Sequence, residues 1–320
     1  MKHSFLVFLL LLCFLSQEAQ AQPSTTLSQF YMHKAIYNPG ATGVNPTIEM
    51  AAFSRREWTS FPESPTYNFL IADMPIKHRQ MGVGIQLDQE SIVATQKRAG
   101  NFLYSYKINM GSGTLSFGVK IGVCQTRFNA SAISVKDEQD KLLNQNQINA
   151  ITPTIGFGIW YAKSNLSAGF AMYDMSESAS AALIPSLGQN QTVKSFSGQF
   201  NYTFALGGNW NLHFFLLDLY LPEKYNIASA TTLLNYKNQL SLGSGYRSNQ
   251  NLTFLANFKL NKIATALENM ELGYSYDVNL SPSANYFGNS HEISLKLSLE
   301  KPKNVAHEKQ KPQEISPYDL

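Results

Sequence analysis

Segments of roughly ten residues in which apolar and polar side chains alternate recur along nearly the whole chain, and this repeat limits the fold more than any other feature. The clearest pair is GNFLYSYKINMGSGTLSFGVKIGV, from Gly100 to Val123. In its first half Phe102, Tyr104, Tyr106 and Ile108 share one face, and Ser105, Lys107 and Asn109 share the other. In its second half Leu115, Phe117, Val119, Ile121 and Val123 oppose Ser116, Gly118, Lys120, Gly122 and Cys124. Successive strand side chains point to opposite sides, so the hairpin has one apolar wall and one polar wall. A soluble sheet and a membrane barrel both produce that pattern, and they give the apolar wall opposite surroundings.

The ends of the chain and its composition separate the two. Lys2 and His3 precede the apolar run Phe5 to Leu15, and Ala19-Gln20-Ala21 forms a small-x-small cleavage site. Residues 1–21 therefore read as a secretory signal peptide, with a run too short to span a bilayer. Cys13 has no small residues before it, which argues against lipoprotein processing, and Cys124 alone remains in the mature chain, which excludes an intramolecular disulfide framework. No later segment approaches the ~18 consecutive apolar residues of a membrane helix. Only helices and closed sheets satisfy every backbone group in lipid, so a membrane-embedded form of this chain is a barrel. A net charge of +3 over 320 residues indicates neither nucleic acid nor an acidic partner. Abundant Phe, Tyr and Gly with only 15% charged residues suit strands and turns.

Strands are expected near 48–56, 66–73, 81–88, 99–109, 114–125, 151–162, 165–173, 193–206, 211–220, 225–234, 238–247, 251–259, 270–279 and 290–299. Lengths of ~9–11 residues match a tilted bilayer crossing. Connections after even-numbered strands are mostly short, whereas 126–150, 174–192 and 280–289 follow odd-numbered ones. That is the loop pattern of an outer-membrane barrel with its N-terminus in the periplasm. About eight strands close a small soluble barrel over a filled core, but fourteen leave a lumen too wide for side chains to fill. The fold class is therefore all-β: a transmembrane antiparallel β-barrel of about 14 strands, outer-membrane type, over residues 48–300. Its apolar wall meets outer-membrane lipid and its polar wall an aqueous interior. Gly82, Gly84, Gly118, Gly122, Gly243, Gly245 and Gly273 face that interior, where small residues either widen a channel or admit a plug. Lys107, Lys120, Lys259 and Lys296 with Glu271 and Asp277 give it both signs of charge. Residues 22–47 read as a lead-in or plug, and residues 301–320 as a charged, flexible periplasmic tail.

Catalytic patterns are thin. No two histidines stand at the i, i+4 spacing of a helical zinc site, and no G-x-S-x-G elbow occurs. Strand alternation puts His291 and Glu292 on opposite faces, and does the same to His213 and Asp218. The GxG pairs at 82–84 and 156–158 lie within strands, away from any phosphate-cradling turn. No enzyme activity, cofactor or metal is expected. The densest chemistry is SRREWTSFPESPTYNF, where Arg55, Arg56, Glu57, Trp58 and Phe61 meet a turn stiffened by Pro62 and Pro65. Two readings fit: a partner-binding hot spot, or the aromatic girdle of any barrel.

Several stretches then resemble the PorP/SprF family of the type IX secretion and gliding machinery. LSQFYMHKAIYNPGATG, from Leu27 to Gly43, is similar to the family's N-terminal signature through Ser28, Gln29, Tyr37, Asn38, Pro39 and Gly43, with Gly40 where Ala is usual. FSRREWTSFPESPTYNFLIADMPI follows through Arg55 or Arg56, Trp58, Phe61, Pro65, Thr66, Asp73 and Pro75, and the ending matches through Tyr276, Asp277, Ser281, His291 and Glu292. One departure is LDQESIVATQ, which lacks the Gly usual after the third strand's Asp. The resemblance spans nearly the whole mature chain and brings no catalytic residues. It implies an outer-membrane barrel that supports type IX secretion or displays a large secreted adhesin or cargo protein. Partners would be other secretion components of the outer membrane and periplasm, with Tyr37, Asn38, Pro39, Arg55, Arg56, Trp58 and Phe61 as candidate contacts. A diffusion porin or substrate-specific channel is the alternative.

Overall fold

The structure is a computed structural model, which describes residues 26–60, 63–76, 80–129, 147–176, 192–222, 225–260, 269–282 and 284–299. The expected signal peptide, the tail from residue 301 and Phe61 lie outside these residues. Fourteen strands form a closed barrel in which each pairs antiparallel with its sequence neighbours. They are β1 Ile48–Arg56, β2 Thr66–Ile76, β3 Met81–Ile92, β4 Thr95–Met110, β5 Gly113–Asn129, β6 Gln147–Lys163 and β7 Leu166–Ser176. The second half comprises β8 Thr192–Gly207, β9 Trp210–Leu221, β10 Tyr225–Tyr236, β11 Leu240–Arg247, β12 Asn251–Lys259, β13 Met270–Asn279 and β14 Ser290–Leu299. β1 closes on β14, with Ile48 opposite Leu299 and Arg56 opposite His291. A short helix, α1 (Ala284–Phe287), lies in the connection from β13 to β14.

The alternation in the sequence maps onto the two sides of this wall. Phe102 is 50% exposed and Ile121 57%, whereas Ser105 between their rows is fully covered. An apolar outer wall of that extent has no solvent to face in a folded soluble protein, and it matches a lipid-facing band. Trp210 and Tyr236 pack with ring centres 4.5 Å apart, tilted 39°, at one rim, where a barrel carries its aromatic girdle.

Strands β5 and β6 run 17 residues each, several more than expected. Their added residues carry Arg127 and Asn149 on the outward side, paired in register. Above the lipid band an outward side chain need not be apolar, so the ladder continues where the alternation stops. β6 keeps its partner β5 through this extension, but its pairing with β7 ends at Gly156 opposite Tyr173.

The interior departs from the expected aqueous lumen. Residues 26–47 run inside the barrel as three single 3₁₀ turns, Phe30–Met32, Lys34–Ile36 and Pro39–Ala41. Leu27, Met32, Ile36 and Ala41 of this inner segment pack with Phe53, Phe69, Ile71, Leu103 and Trp160 of the wall into one apolar cluster. One sector of the barrel is thus a small dry core, and full burial of each large apolar side chain contributes about 1.5–3 kcal/mol.

Candidate functional site: the segment inside the barrel

The inner segment is held at three places, and local sequence explains each. The first is Asn38-Pro39-Gly40-Ala41-Thr42-Gly43. Pro39 presets the first residue of the turn, and the Asn38 side chain caps it by accepting from the Gly40 amide at 2.8 Å. The same side chain donates to the Ile159 carbonyl of β6 at 3.0 Å, so one asparagine shapes the turn and ties it to the wall. Thr42 closes the turn through its hydroxyl on the Pro39 carbonyl, and its own carbonyl accepts from Ser105 of β4 at 2.7 Å. Lys107 donates to the Gly43 carbonyl. Backbone meets backbone here: a Cβ on Gly118 would overlap Pro39, and one on Gly82 would overlap the Thr42 carbonyl. These wall glycines leave the space the segment fills.

The second is an ion network around Ser28. The Ser28 and Gln29 amides donate to the two oxygens of Glu292 at 2.8 and 2.9 Å. Arg55 reaches Asp277 at 2.6 Å, Glu57 at 2.9 Å and Glu292 at 3.4 Å. The Ser28 hydroxyl donates to Asp277 and accepts from both Arg55 and Arg247 at 2.8 Å, which uses all of its hydrogen-bonding capacity. Asp277 and Glu292 are fully buried, and Arg55 and Arg247 nearly so. Burying four charges is costly unless each is paired and hydrogen-bonded, and here the pairing runs through a residue of the inner segment.

The third lies between these two. His33 faces Asp73 of β2 at 3.7 Å, close to the Glu49–Lys296 pair at 3.1 Å. Burial pushes the His33 imidazole down to about 4, so it is neutral at physiological pH. Across the barrel, Tyr31 donates to Asn257 of β12 at 2.8 Å and stacks on Phe215 of β9. The Tyr37 carbonyl accepts from Ser197 of β8, and burial raises the Tyr37 phenol above its usual range. Contacts therefore reach strands on opposite sides of the ring. Beside the segment remains a cavity of about 170 Å³. Its lining includes Tyr37, Asp88, Asn101, Lys120 and Tyr173, with the Lys120 ammonium 4.6 Å from the Tyr173 ring centre.

The candidate contact residues divide accordingly. Tyr37, Asn38 and Pro39 lie inside, with Asn38 only 1% exposed. Arg55 also points inward, 2% exposed and saturated by carboxylates, which takes it out of the expected surface cluster. Strand parity is the reason: Arg55 shares the face of Glu49 and Phe53, and Arg56 the opposite one. Arg56 points outward and donates to Ser64 at 2.6 Å. Trp58, at φ 53°, packs on Phe287 of α1 at 5.1 Å. Sequence reasoning did not assemble Ser28, Arg247, Asp277 and Glu292 into one network, nor His33 with Glu49 and Asp73. The available signal was that Ser28, Asp73, Asp277 and Glu292 all sit in the family-like stretches, and that alternation turns Asp277 and Glu292 inward.

No curated protein matches the sequence. Among solved structures, the barrel is similar to the CymD monoaromatic hydrocarbon channel at 10% identity and TM-score 0.47, covering 89% of this chain and 95% of that one. A FadL homologue of Pseudomonas aeruginosa gives 10% and 0.44, with 83% and 93% covered. Omp33, an outer membrane protein of Acinetobacter baumannii, gives 8% and 0.44, with 79% and 99% covered. At these values the likenesses carry no ligand or cargo across. The sequence itself is more specific: residues 19–297 match the type IX secretion system membrane protein family PorP/SprF, which takes in the inner segment and all fourteen strands but the last two residues of β14. The chain belongs to the PorP/SprF family of type IX secretion system membrane proteins.

Proposed function

We propose that this chain is a non-catalytic outer-membrane barrel that supports type IX secretion by holding other proteins, among them a large secreted adhesin or other cargo, and not by passing solutes. The observation that carries this reading is the inner segment, pinned to β14 through Glu292, to β6 through Ile159 and to β4 through Ser105. A segment tied across the lumen by buried ion pairs and apolar packing leaves little room for free diffusion. Docking then falls to the rim surfaces, where Arg56 and Trp58 stand at the first outward turn, and to the periplasmic side.

A second reading, a selective channel, draws on the cavity of about 170 Å³ with charges of both signs. Two measurements decide between them. The purified barrel in a planar bilayer is expected to show no large steady conductance. Deleting the gene is expected to reduce surface display of a large secreted protein while small-solute uptake stays unchanged. A stable, solute-selective conductance, or normal display in the deletion strain, would overturn the proposal.

A further inference from the structure

His33, Glu49 and Asp73 converge on one buried point between the inner segment and the wall. Glu49 and Asp73 are register partners on β1 and β2, and both face inward, 7% and 5% exposed. His33 comes from the extended residue between the first two 3₁₀ turns and is 1% exposed. One potential ligand atom from each of the three lies within 4.8 Å of the others.

The imidazole is what makes this more than a pair of acids. Neither of its ring nitrogens makes a hydrogen bond of normal geometry: the Glu49 backbone lies beside the ring, and the nearest carboxylate oxygen, Asp73 Oδ1, stands 3.7 Å from Nε2. A fully buried polar atom without a protein partner calls for an explanation, and a water or an ion is one. The two acids are meanwhile oriented from behind. Lys296 holds Glu49 Oε1 at 3.1 Å, and the Gly43 amide donates to Asp73 Oδ2 at 2.8 Å. Supporting contacts of this kind fix ligands around a metal. Lys296 and Lys34 also offset the negative field at His33, and Lys107 does so at Asp73. A cation must therefore bind through directional donor bonds and not through net charge. One nitrogen and two carboxylate oxygens suit zinc, which takes few ligands, better than calcium, which wants six to eight oxygens.

We propose that His33, Glu49 and Asp73 form a three-ligand site for a divalent transition cation of the zinc type, pinning the middle of the inner segment to β1 and β2. Bonds of about 2.0–2.2 Å around a tetrahedral ion bring such ligands closer together than they stand now, within reach of side-chain rotation. A water completes the coordination.

The test uses tag-free, full-length barrel in detergent, stripped with a chelator and titrated with zinc alone by calorimetry, with bound metal counted separately. One equivalent is expected to bind. Asp73→Asn and His33→Gln should weaken it by at least about 10–100-fold, the loss that follows even when only a ligand's support is removed. His291→Gln, on the opposite wall face, should leave it unchanged. Where a variant does not fold, cobalt added to the wild-type barrel decides. Intense visible bands of a low-coordinate site support the proposal, and the weak spectrum of hexa-aqua cobalt overturns it. No uptake by the wild type, or equal uptake by both variants, also overturns it and assigns the gap to water. Neither result touches the conductance and display experiments.

Discussion

Replacing Arg55 by Ala tests whether the ion network holds the inner segment. Its side chain is 1% exposed, and it donates to Asp277 and Glu292, whose side chains are fully buried. After its removal the nearest remaining cation to Asp277 is Arg247, 3.8 Å away. Asp277 would then keep one distant guanidinium, and Glu292 would keep no ion-pair partner among the described residues. Removing one partner of a buried ion pair costs about 3–5 kcal/mol, and solvent screening offers little relief at this exposure. At about 1.4 kcal/mol per factor of ten, that raises the released population of residues 28–29 by roughly two to three and a half orders of magnitude. Amide hydrogen exchange reads it directly, because the Ser28 and Gln29 amides are bonded to Glu292. Both should exchange faster by that factor while ladder amides in β4 and β5 stay protected. If both amides exchange within about threefold of wild type in a folded variant, the network does not hold the segment and the reasoning fails.

Two further outcomes follow from the wall. Gly118→Val places a Cβ against the Pro39 carbonyl, and valine suits a strand better than glycine, so the barrel should fold with residues 38–43 displaced. Wild-type protection of the Ala41 and Thr42 amides would contradict this. Ile121→Arg puts a charge on the lipid face at a position 57% exposed and should cost about 2–4 kcal/mol in folding into vesicles, read from urea titrations. Unchanged folding stability of the variant in vesicles would contradict the outward assignment.

Alternation made the fourteen strands legible because lipid outside and protein inside impose opposite demands on neighbouring residues. It failed where that contrast fades. Arg127 and Asn149 are outward yet above the apolar band, so the ends of β5 and β6 gave no signal. It also gave no reason for Phe53, Phe69 and Leu103, inward apolar residues that an aqueous interior would leave unpacked and that the inner segment covers. Residues 22–47 stand outside the alternating repeat, and nothing in local periodicity says that a segment folds against walls tens or hundreds of residues away. Arg55 illustrates the limit: it stands in a run that reads as surface chemistry, and its parity with Glu49 turns it inward.

The placement of the network explains why the inner segment and the barrel form one unit. Arg55 and Glu292 are register partners across the join of the first and last strands, and Asp277 lies on β13 beside them. The network around the acceptor of the Ser28 and Gln29 amides is therefore complete only when β1 meets β14 and the ring closes. Glu49, paired with Lys296 of β14 across the same join, adds a second ion pair lower on the seam. Before closure these charges remain solvated and give the segment no oriented carboxylate to bind. After closure the segment covers them, and its own amides supply part of their hydrogen bonding. Each half thus lowers the desolvation cost of the other, so loss of the segment should loosen the seam before it loosens β7–β8, across the ring from it.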